Sequence, residues 1–204
     1  QGDSPSVLYI SANPNDTVPL DIVREYEIIR DELDRGELHG LWRLNSEMIT
    51  KVDEISLKLL RYHPTVLHFS GHSTDDGRLV LHDEKDQNSV SLPVQDVADL
   101  IGIVNREKKH IRCVVLNACW SLALAHALVR HVDCAVGMQA PMGDISARRF
   151  ARGFYRGLAN GKCVEDSFQL GKNELGLNES EFKYVPCIEQ AEGVDLTQLF
   201  LHKA

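Results

Sequence analysis

The stretch Cys-Val-Val-Leu-Asn-Ala-Cys-Trp-Ser, residues 113–121, sets the fold prediction. Four apolar residues lead into the polar Asn117, as in a strand that is buried on both faces of a parallel sheet. The following residues, Ser-Leu-Ala-Leu-Ala-His-Ala-Leu at 121–128, predict a helix that starts near Ser121. Cys119 therefore lies at the carboxyl end of a predicted central strand, where open α/β sheets bind their ligands.

A second predicted strand, Thr-Val-Leu-His-Phe-Ser-Gly-His at 65–72, ends in His72, which precedes Cys119 by 47 residues. A thiolate nucleophile needs a general base within reach, and the carboxyl ends of parallel strands meet at one edge of a sheet. A helix N-terminus directly after Cys119 would also favour the thiolate. The two strand ends therefore predict a cysteine nucleophile, Cys119, with His72 as its base.

The rest of the chain alternates between strand and helix patterns, which predicts an α/β fold. We expect a doubly wound, mostly parallel sheet flanked by helices. Apolar segments at 79–82 and 89–92 flank a polar loop at 83–88, which predicts a β-hairpin after the third strand. An edge strand is expected at 184–188, because Pro186 is incompatible with a central one.

Composition limits the classes of function. The chain has 204 residues, of which 43% are hydrophobic and 25% charged, as expected for one globular domain. The net charge of −8 argues against direct nucleic-acid binding, and no apolar run is long enough to span a membrane. Five cysteines without Cys-x-x-Cys spacing predict reduced thiols in a cytoplasmic protein. Gln1-Gly2 suggests that residues 1–4 are a tag remnant on a domain excised from a larger protein.

Metal and cofactor motifs do not fit this sequence. It has no His-Glu-x-x-His, no glycine-rich phosphate loop followed by lysine, and no Gly-x-Gly-x-x-Gly after a strand. We therefore expect neither a metal nor a cofactor.

Several linked motifs resemble the CHAT domain family, which comprises caspase-like, separase-related cysteine peptidases of clan CD. The motifs are Ile-Ser-Ala-Asn-Pro at 10–14, His-Phe-Ser-Gly-His at 68–72, Leu-Asn-Ala-Cys at 116–119, Val-Gly-Met-Gln at 136–139, and Phe-Ala-Arg-Gly-Phe-Tyr at 150–155. Caspases likewise place the catalytic histidine about 50 residues upstream of the cysteine. The resemblance implies a caspase-like fold and a thiol protease with a His72–Cys119 dyad.

The resemblance also implies the rest of the site. The oxyanion is expected to bind backbone N–H groups of Ser73 and Cys119, and the substrate is expected to be a protein. A regulatory partner or a fused sensor domain is expected to control cleavage, and neither nucleic acid nor membrane is an expected partner. The substrate pocket is predicted from residues at and near the strand ends, namely Asn13, Asn117, Gln139 and Asp144.

Each of these residues also has a purely structural explanation. Cys119 could be a buried core thiol, Asp144 a helix N-cap, and the amides locally bonded loop side chains. Many relatives carry glycine at position 73, so Ser73 leaves open a catalytically inactive module that binds a partner. The topology alone would also fit a flavodoxin-like ligand-binding domain.

The predicted pocket contains no basic residue, which bears on specificity. A buried carboxylate without a fixed cation is costly, so caspase-like selection for aspartate is not expected. Two options remain for the residue before the cut: a basic residue held by Asp144, or an uncharged residue held by the amides.

Overall fold

The computed structural model describes the chain except for residues 1–3, 49, 84, 86, 87 and 204. Most of the predicted tag remnant and half of the predicted hairpin loop therefore lie outside the described residues. The helices are α1 (Ile22–Arg35), α2 (Ile55–Tyr62), α3 (Val94–Val104), α4 (Leu122–Leu128), α5 (Asp144–Ala159) and α6 (Val164–Asn178). The strands are β1 (Ser6–Ser11), β2 (Arg43–Glu47), β3 (Val66–Ser70), β4 (His72–Ser73), β5 (Leu79–His82), β6 (Ser89–Leu92), β7 (Cys113–Asn117), β8 (Cys134–Met138) and β9 (Pro186–Gln190).

The main sheet has six strands in the order β2-β1-β3-β7-β8-β9. Neighbouring strands from β2 to β8 pair in parallel, and β9 pairs antiparallel with β8 at the edge. Pro186 begins this edge strand, where a missing N–H is tolerated. The predicted doubly wound, mostly parallel sheet is confirmed.

Alternate residues of the central strands belong to two separate hydrophobic clusters. In β1, Val7 and Tyr9 lie in the cluster that includes buried residues of α1, α5 and α6, whereas Leu8 and Ile10 pack with those of α2, α3 and α4. Successive side chains of a strand point to opposite faces, so a sheet covered on both faces requires apolar residues at every position. This explains the continuous apolar runs of β1, β3 and β7.

The predicted hairpin is confirmed as a small antiparallel sheet, β4-β5-β6. Its register pairs His72 with Val80 and Leu79 with Leu92. Gly71 separates this sheet from β3, and a Cβ on Gly71 would lie 2.9 Å from the carbonyl oxygen of Ala12. This close approach requires glycine at position 71. From Gly71 the chain continues directly into β4, which begins with His72.

Helices α5 and α6 pack closely on one face of the sheet. A Cβ on Gly153 of α5 would lie 2.7 Å from the Cα of Gly171 in α6, so the two backbones meet through glycines. The sequence pattern predicts an inner face of α5 made by Ile145, Phe150, Phe154 and Leu158; the last three are buried, but Ile145 is exposed. Within the described part of the chain, none of the helices has the length and apolar character needed to cross a bilayer.

From the sequence, Thr50 is a candidate N-cap for a helix that ends at Tyr62, and the structure corrects this start. Thr50 does not cap the helix, because its hydroxyl donates to the carbonyl oxygen of Glu47 at 2.9 Å. A short 3₁₀ turn at Val52–Glu54 intervenes, and α2 begins at Ile55. Propensity alone does not distinguish a capping threonine from one that closes a turn.

Candidate active site

A cavity of about 280 Å³ opens at the carboxyl ends of β3 and β7. It lies between the loop at 18–20, the turn after β7 and the first turn of α5. Both predicted catalytic residues, His72 and Cys119, line this cavity. The crevice beyond the strand ends is where α/β sheets bind ligands, as the sequence predicted.

His72 is oriented by a backbone carbonyl rather than by a side chain. Its Nε2 lies 2.8 Å from the carbonyl oxygen of Val18, in the loop between β1 and α1. A carbonyl oxygen only accepts hydrogen bonds, so Nε2 carries the proton and donates. In the neutral ring Nδ1 is then the unprotonated nitrogen, available to accept a proton.

Cys119 follows β7 and is partly exposed. Its Sγ lies 3.9 Å from the carbonyl oxygen of Met142, close enough for a weak S–H donor. Of the five cysteines, all of them described, Cys119 is the one that lines this cavity, and Cys187 is the other partly exposed thiol. Burial raises the pKa of the Cys187 thiol, which disfavours the reactive thiolate there.

The turn that presents Cys119 differs from a simple helix cap. Trp120 has a φ of 57°, a left-handed conformation that is uncommon for a bulky residue. Helix α4 begins only at Leu122, and the Ser121 side chain makes no capping hydrogen bond. Instead, the Ser121 hydroxyl donates to the Leu116 carbonyl and accepts the Met138 N–H, tying this turn to β8.

Ser73 is accommodated without backbone strain. Among the described non-glycine residues, a positive φ occurs only at His63 and Trp120. The position after His72 therefore does not need the left-handed conformation that glycine would provide. The Ser73 hydroxyl is buried and has no partner among the described residues. The geometry gives no reason to read Ser73 as a mark of inactivity.

Asn13 lies outside the cavity and braces the loop that leads to α1. Its Nδ2 donates to the carbonyl oxygen of Leu20 at 3.2 Å, and its Oδ1 accepts the Leu20 N–H at 3.3 Å. These bonds join the two ends of the loop that carries Val18. The carbonyl oxygen of Val18 is the group that orients His72. Asn13 thus contacts a loop that lines the cavity rather than the cavity itself.

Gln139 also lies outside this cavity. Its Nε2 donates to the carbonyl oxygen of Tyr184 at 2.5 Å, which ties the end of β8 to the segment before β9. It lines a separate open groove on the surface together with Trp120 and Glu189. The structure therefore brings together Asn117 and Asp144, but neither Asn13 nor Gln139, around His72 and Cys119.

Asp144 is the first residue of α5, and the N-cap is Gly143, so the alternative of a capping aspartate is wrong. The Asp144 carboxylate accepts from Arg148 Nη1 at 2.7 Å, and the same nitrogen lies 3.3 Å from Asp21. The arginines of α5 are expected from the sequence to form a solvated face, but the Arg148 side chain is only 16% exposed. The charge of Asp144 is therefore balanced by an arginine just outside the cavity.

Residues 6–175 match the CHAT domain family, which is most of the chain. The chain belongs to the CHAT domain family. This CHAT domain is 33% identical over 181 residues to a "Probable protease" of Gillisia limnaea, covering 86% of this chain and 31% of that protein. It is 25% identical over 164 residues to a "Roc-COR-CHAT protease" of an unknown prokaryotic organism, covering 78% of this chain and 15% of the other.

Solved structures support the fold of this CHAT domain. The Drosophila initiator caspase Dronc superposes with a TM-score of 0.63 at 7% identity, covering 99% of this chain and 85% of that one. The expected caspase-like fold is thereby confirmed. The chain spans less than a third of the length of either curated relative described above.

Sequence reasoning missed one ionisable residue that lines the CHAT domain's cavity, Glu25 of α1. The side chain is 3% exposed and lines the cavity. Its carboxylate accepts from His68 Nε2 at 2.8 Å, Ser70 Oγ at 2.5 Å and Asn117 Nδ2 at 2.5 Å. The signal was present in the sequence, because Glu25 falls between Ile22 and Ile29 on the apolar stripe of an amphipathic helix.

The carboxylate of Glu25 is kept ionised despite its burial. Burial alone would raise its pKa, but the hydrogen bond and charge of His68, with bonds from Ser70 and Asn117, bring the pKa below its usual range. His68 lies within the apolar strand β3, where a packed core histidine is expected from the sequence, and it is fully buried. Its Nδ1 lies 2.9 Å from the Tyr155 hydroxyl, so both ring nitrogens are engaged.

Proposed function

We propose that this CHAT domain is a cysteine endopeptidase that cleaves protein substrates through a His72–Cys119 dyad. One observation supports this function above the others: a thiol and an imidazole line the same cavity at adjacent strand ends. The Val18 carbonyl engages Nε2 of His72, which leaves Nδ1 as the base. The relatives named as proteases agree with this chemistry.

In the first half of the reaction, Nδ1 of His72 takes the proton of the Cys119 thiol. The sulfur then attacks the scissile carbonyl carbon, and a C–S bond forms as the carbonyl π electrons move to oxygen. When the C–N bond breaks, the imidazolium gives its proton to the departing amine. The product is a thioester between Cys119 and the amino-terminal part of the substrate.

The second half hydrolyses the thioester. His72 takes a proton from water, the hydroxide equivalent adds to the acyl carbon, and the C–S bond breaks. The thiolate recovers the proton from the imidazolium, so the dyad returns to its starting state. The backbone N–H groups of Ser73 and Cys119 are the proposed donors to the oxyanion in both halves, and the backbone at Ser73 is unstrained.

We further propose that a partner protein or another part of the parent protein controls cleavage. One relative is named a Roc-COR-CHAT protease, so its name joins a CHAT part to parts called Roc and COR. This name supports control by another part of the same protein. A cytoplasmic location is part of the same proposal. All five cysteines, each described, are free thiols, as is usual in a reducing compartment.

The test is cleavage of a denatured, amine-blocked proteome, with new N-termini identified by mass spectrometry. The protein should generate new termini, and Cys119→Ala and His72→Ala should abolish them. The matched control is Cys187→Ala, which removes the other partly exposed thiol and should retain cleavage. Cleavage that survives Cys119→Ala would overturn the assignment. If the unaltered protein produced no new termini and an electrophilic peptide did not label Cys119, the domain would be inactive.

A further inference from the structure

Acidic side chains line the active-site cavity, and none of the described residues that line it is a lysine or an arginine. The charged residues that line the cavity are Glu25 and Asp144, both acidic, beside the titratable His72. Asp144 is paired with Arg148 at 2.7 Å. Glu25 instead accepts hydrogen bonds from a serine, an amide and an imidazole.

His68 does not need a positive charge to make its contacts with its neighbours. Its Nε2–H donates to Glu25, and its Nδ1 accepts from the Tyr155 hydroxyl when the ring is neutral. Desolvation raises the pKa of Tyr155 well above its usual value, so that hydroxyl keeps its proton and can donate. These contacts form whether or not the ring is charged, and His68 does not itself line the cavity.

A second acceptor lies beside Glu25. The Asn117 amide nitrogen donates to Glu25 Oε1 at 2.5 Å and to the Ala147 carbonyl at 3.1 Å. Because both neighbours are acceptors, the amide cannot be flipped, and its oxygen must point elsewhere. That oxygen is buried and has no hydrogen-bond partner among the described residues, although Asn117 is 95% buried and lines the cavity. Buried acceptors of this kind are rare and call for a donor.

We propose that the cavity binds the side chain of a lysine or arginine directly before the scissile bond, with Glu25 and Asn117 as its acceptors. The proposal rests on the proposed function and assigns the selection to Glu25 rather than to Asp144. A guanidinium or ammonium group supplies only donors, and its positive charge complements the carboxylate. Met138, Met142 and Ala147 line the cavity and would pack against the methylene stem.

The size of the cavity fits a single side chain. Its volume of about 280 Å³ is at the lower limit of the roughly 300–1,000 Å³ that is typical of small-molecule sites. An aspartate in this cavity would place a third carboxylate beside Glu25 and Asp144, which like-charge repulsion disfavours.

The test compares peptides that differ only at the residue before the cut. Arginine, citrulline and aspartate serve well, because citrulline has the shape of arginine without its charge. From the strength of hydrogen bonds to charged groups, we expect arginine to exceed citrulline in kcat/KM by roughly 10- to 100-fold. Aspartate should be the poorest substrate. Equal rates for arginine and citrulline, or a preference for aspartate, would overturn the proposal.

Variants locate the selecting group. Glu25→Gln should reduce the arginine-to-citrulline ratio to about one, whereas Asp144→Asn should reduce it less, because Arg148 already balances Asp144. Glu27→Gln is the matched control on the same helix, because Glu27 pairs with Arg24 and does not line the cavity. A ratio that survives Glu25→Gln but disappears in Asp144→Asn would show that the wrong carboxylate is assigned.

A binding measurement on the unaltered protein separates this proposal from the proposed function. Butylguanidine, a small guanidinium compound, should slow iodoacetamide alkylation of Cys119, and butylurea, which has a similar shape and no charge, should not. Protection by neither compound or by both equally would overturn the cation site. This readout needs neither turnover nor a folded Glu25 variant. If the protein cleaved no peptide but butylguanidine still protected Cys119, the proposed function would be refuted and the cation site would stand.

Discussion

Replacing Asn13 by alanine removes the brace on the loop that orients the predicted base. The Asn13 side chain makes two hydrogen bonds to the backbone of Leu20, and Val18 within that loop accepts from His72 at 2.8 Å. Asp16 tethers the same loop to Ser89 of the hairpin, so it does not become wholly free. We therefore expect Asn13→Ala to loosen the loop locally and to disorient His72.

The magnitude follows from the two lost bonds. A net hydrogen bond contributes about 0.5–1.5 kcal/mol, so the brace contributes about 1–3 kcal/mol. That free energy corresponds to a change of roughly 5- to 150-fold in the ratio of braced to open loop. For a chain of this length the melting temperature should fall by about 2–12 °C. We expect kcat to fall roughly tenfold while KM changes little, because the substrate cavity keeps its other walls.

The assay measures kcat and KM with the best peptide substrate, together with urea unfolding. Asn173→Ala is the control, because Asn173 is exposed on α6 and remote from the loop. Asn13→Asp keeps an acceptor for the Leu20 N–H but loses the donor to its carbonyl, so its effect should be intermediate. A lower free energy of unfolding with an unchanged kcat would refute the reasoning, because the brace would then stabilise the fold without positioning His72.

Three further outcomes are expected. Gly153→Ala should lower the free energy of unfolding by about 1–3 kcal/mol, because the new Cβ meets Gly171 of α6. Gly143→Ala, which has no atom within 4 Å of its new Cβ, should cost less. Ser73→Gly should leave kcat/KM unchanged and cost about 0.5–1 kcal/mol in chain entropy, since position 73 has no positive φ. Because the folded pKa of Glu25 lies below its usual 4.5, Glu25 stabilises the fold above that pH, and this contribution is lost as pH falls through the folded value. In urea unfolding, Glu25→Gln should therefore flatten the loss of stability below about pH 4.5.

The sequence was sufficient to predict the sheet, the hairpin and the two strand ends that carry His72 and Cys119. Strands covered on both faces must be apolar throughout, and this pattern is visible in β1, β3 and β7 without a structure. Short-range rules were less reliable at helix starts. Gly143 rather than Asp144 is the cap of α5, because the capping position depends on backbone angles that the sequence does not show.

The pocket was harder to predict than the dyad. A strand-end position places Asn13 at the correct edge of the sheet but does not determine whether its side chain turns to the cavity or to Leu20. Glu25 was missed because its burial depends on donors that are 43, 45 and 92 residues away in sequence. An acidic residue on the apolar stripe of α1 was nevertheless a visible sign of a buried carboxylate.

The most direct test of the central claim is to trap the acyl-enzyme. The protein is mixed with a peptide ester, quenched in acid within the first turnover and digested, and the acylated residue is identified by mass spectrometry. The account predicts an acyl group on Cys119, retained in Cys187→Ala and formed far more slowly in His72→Ala. Hydrolysis of the ester without an acyl group on Cys119, or with the group on Cys187, would contradict the His72–Cys119 dyad.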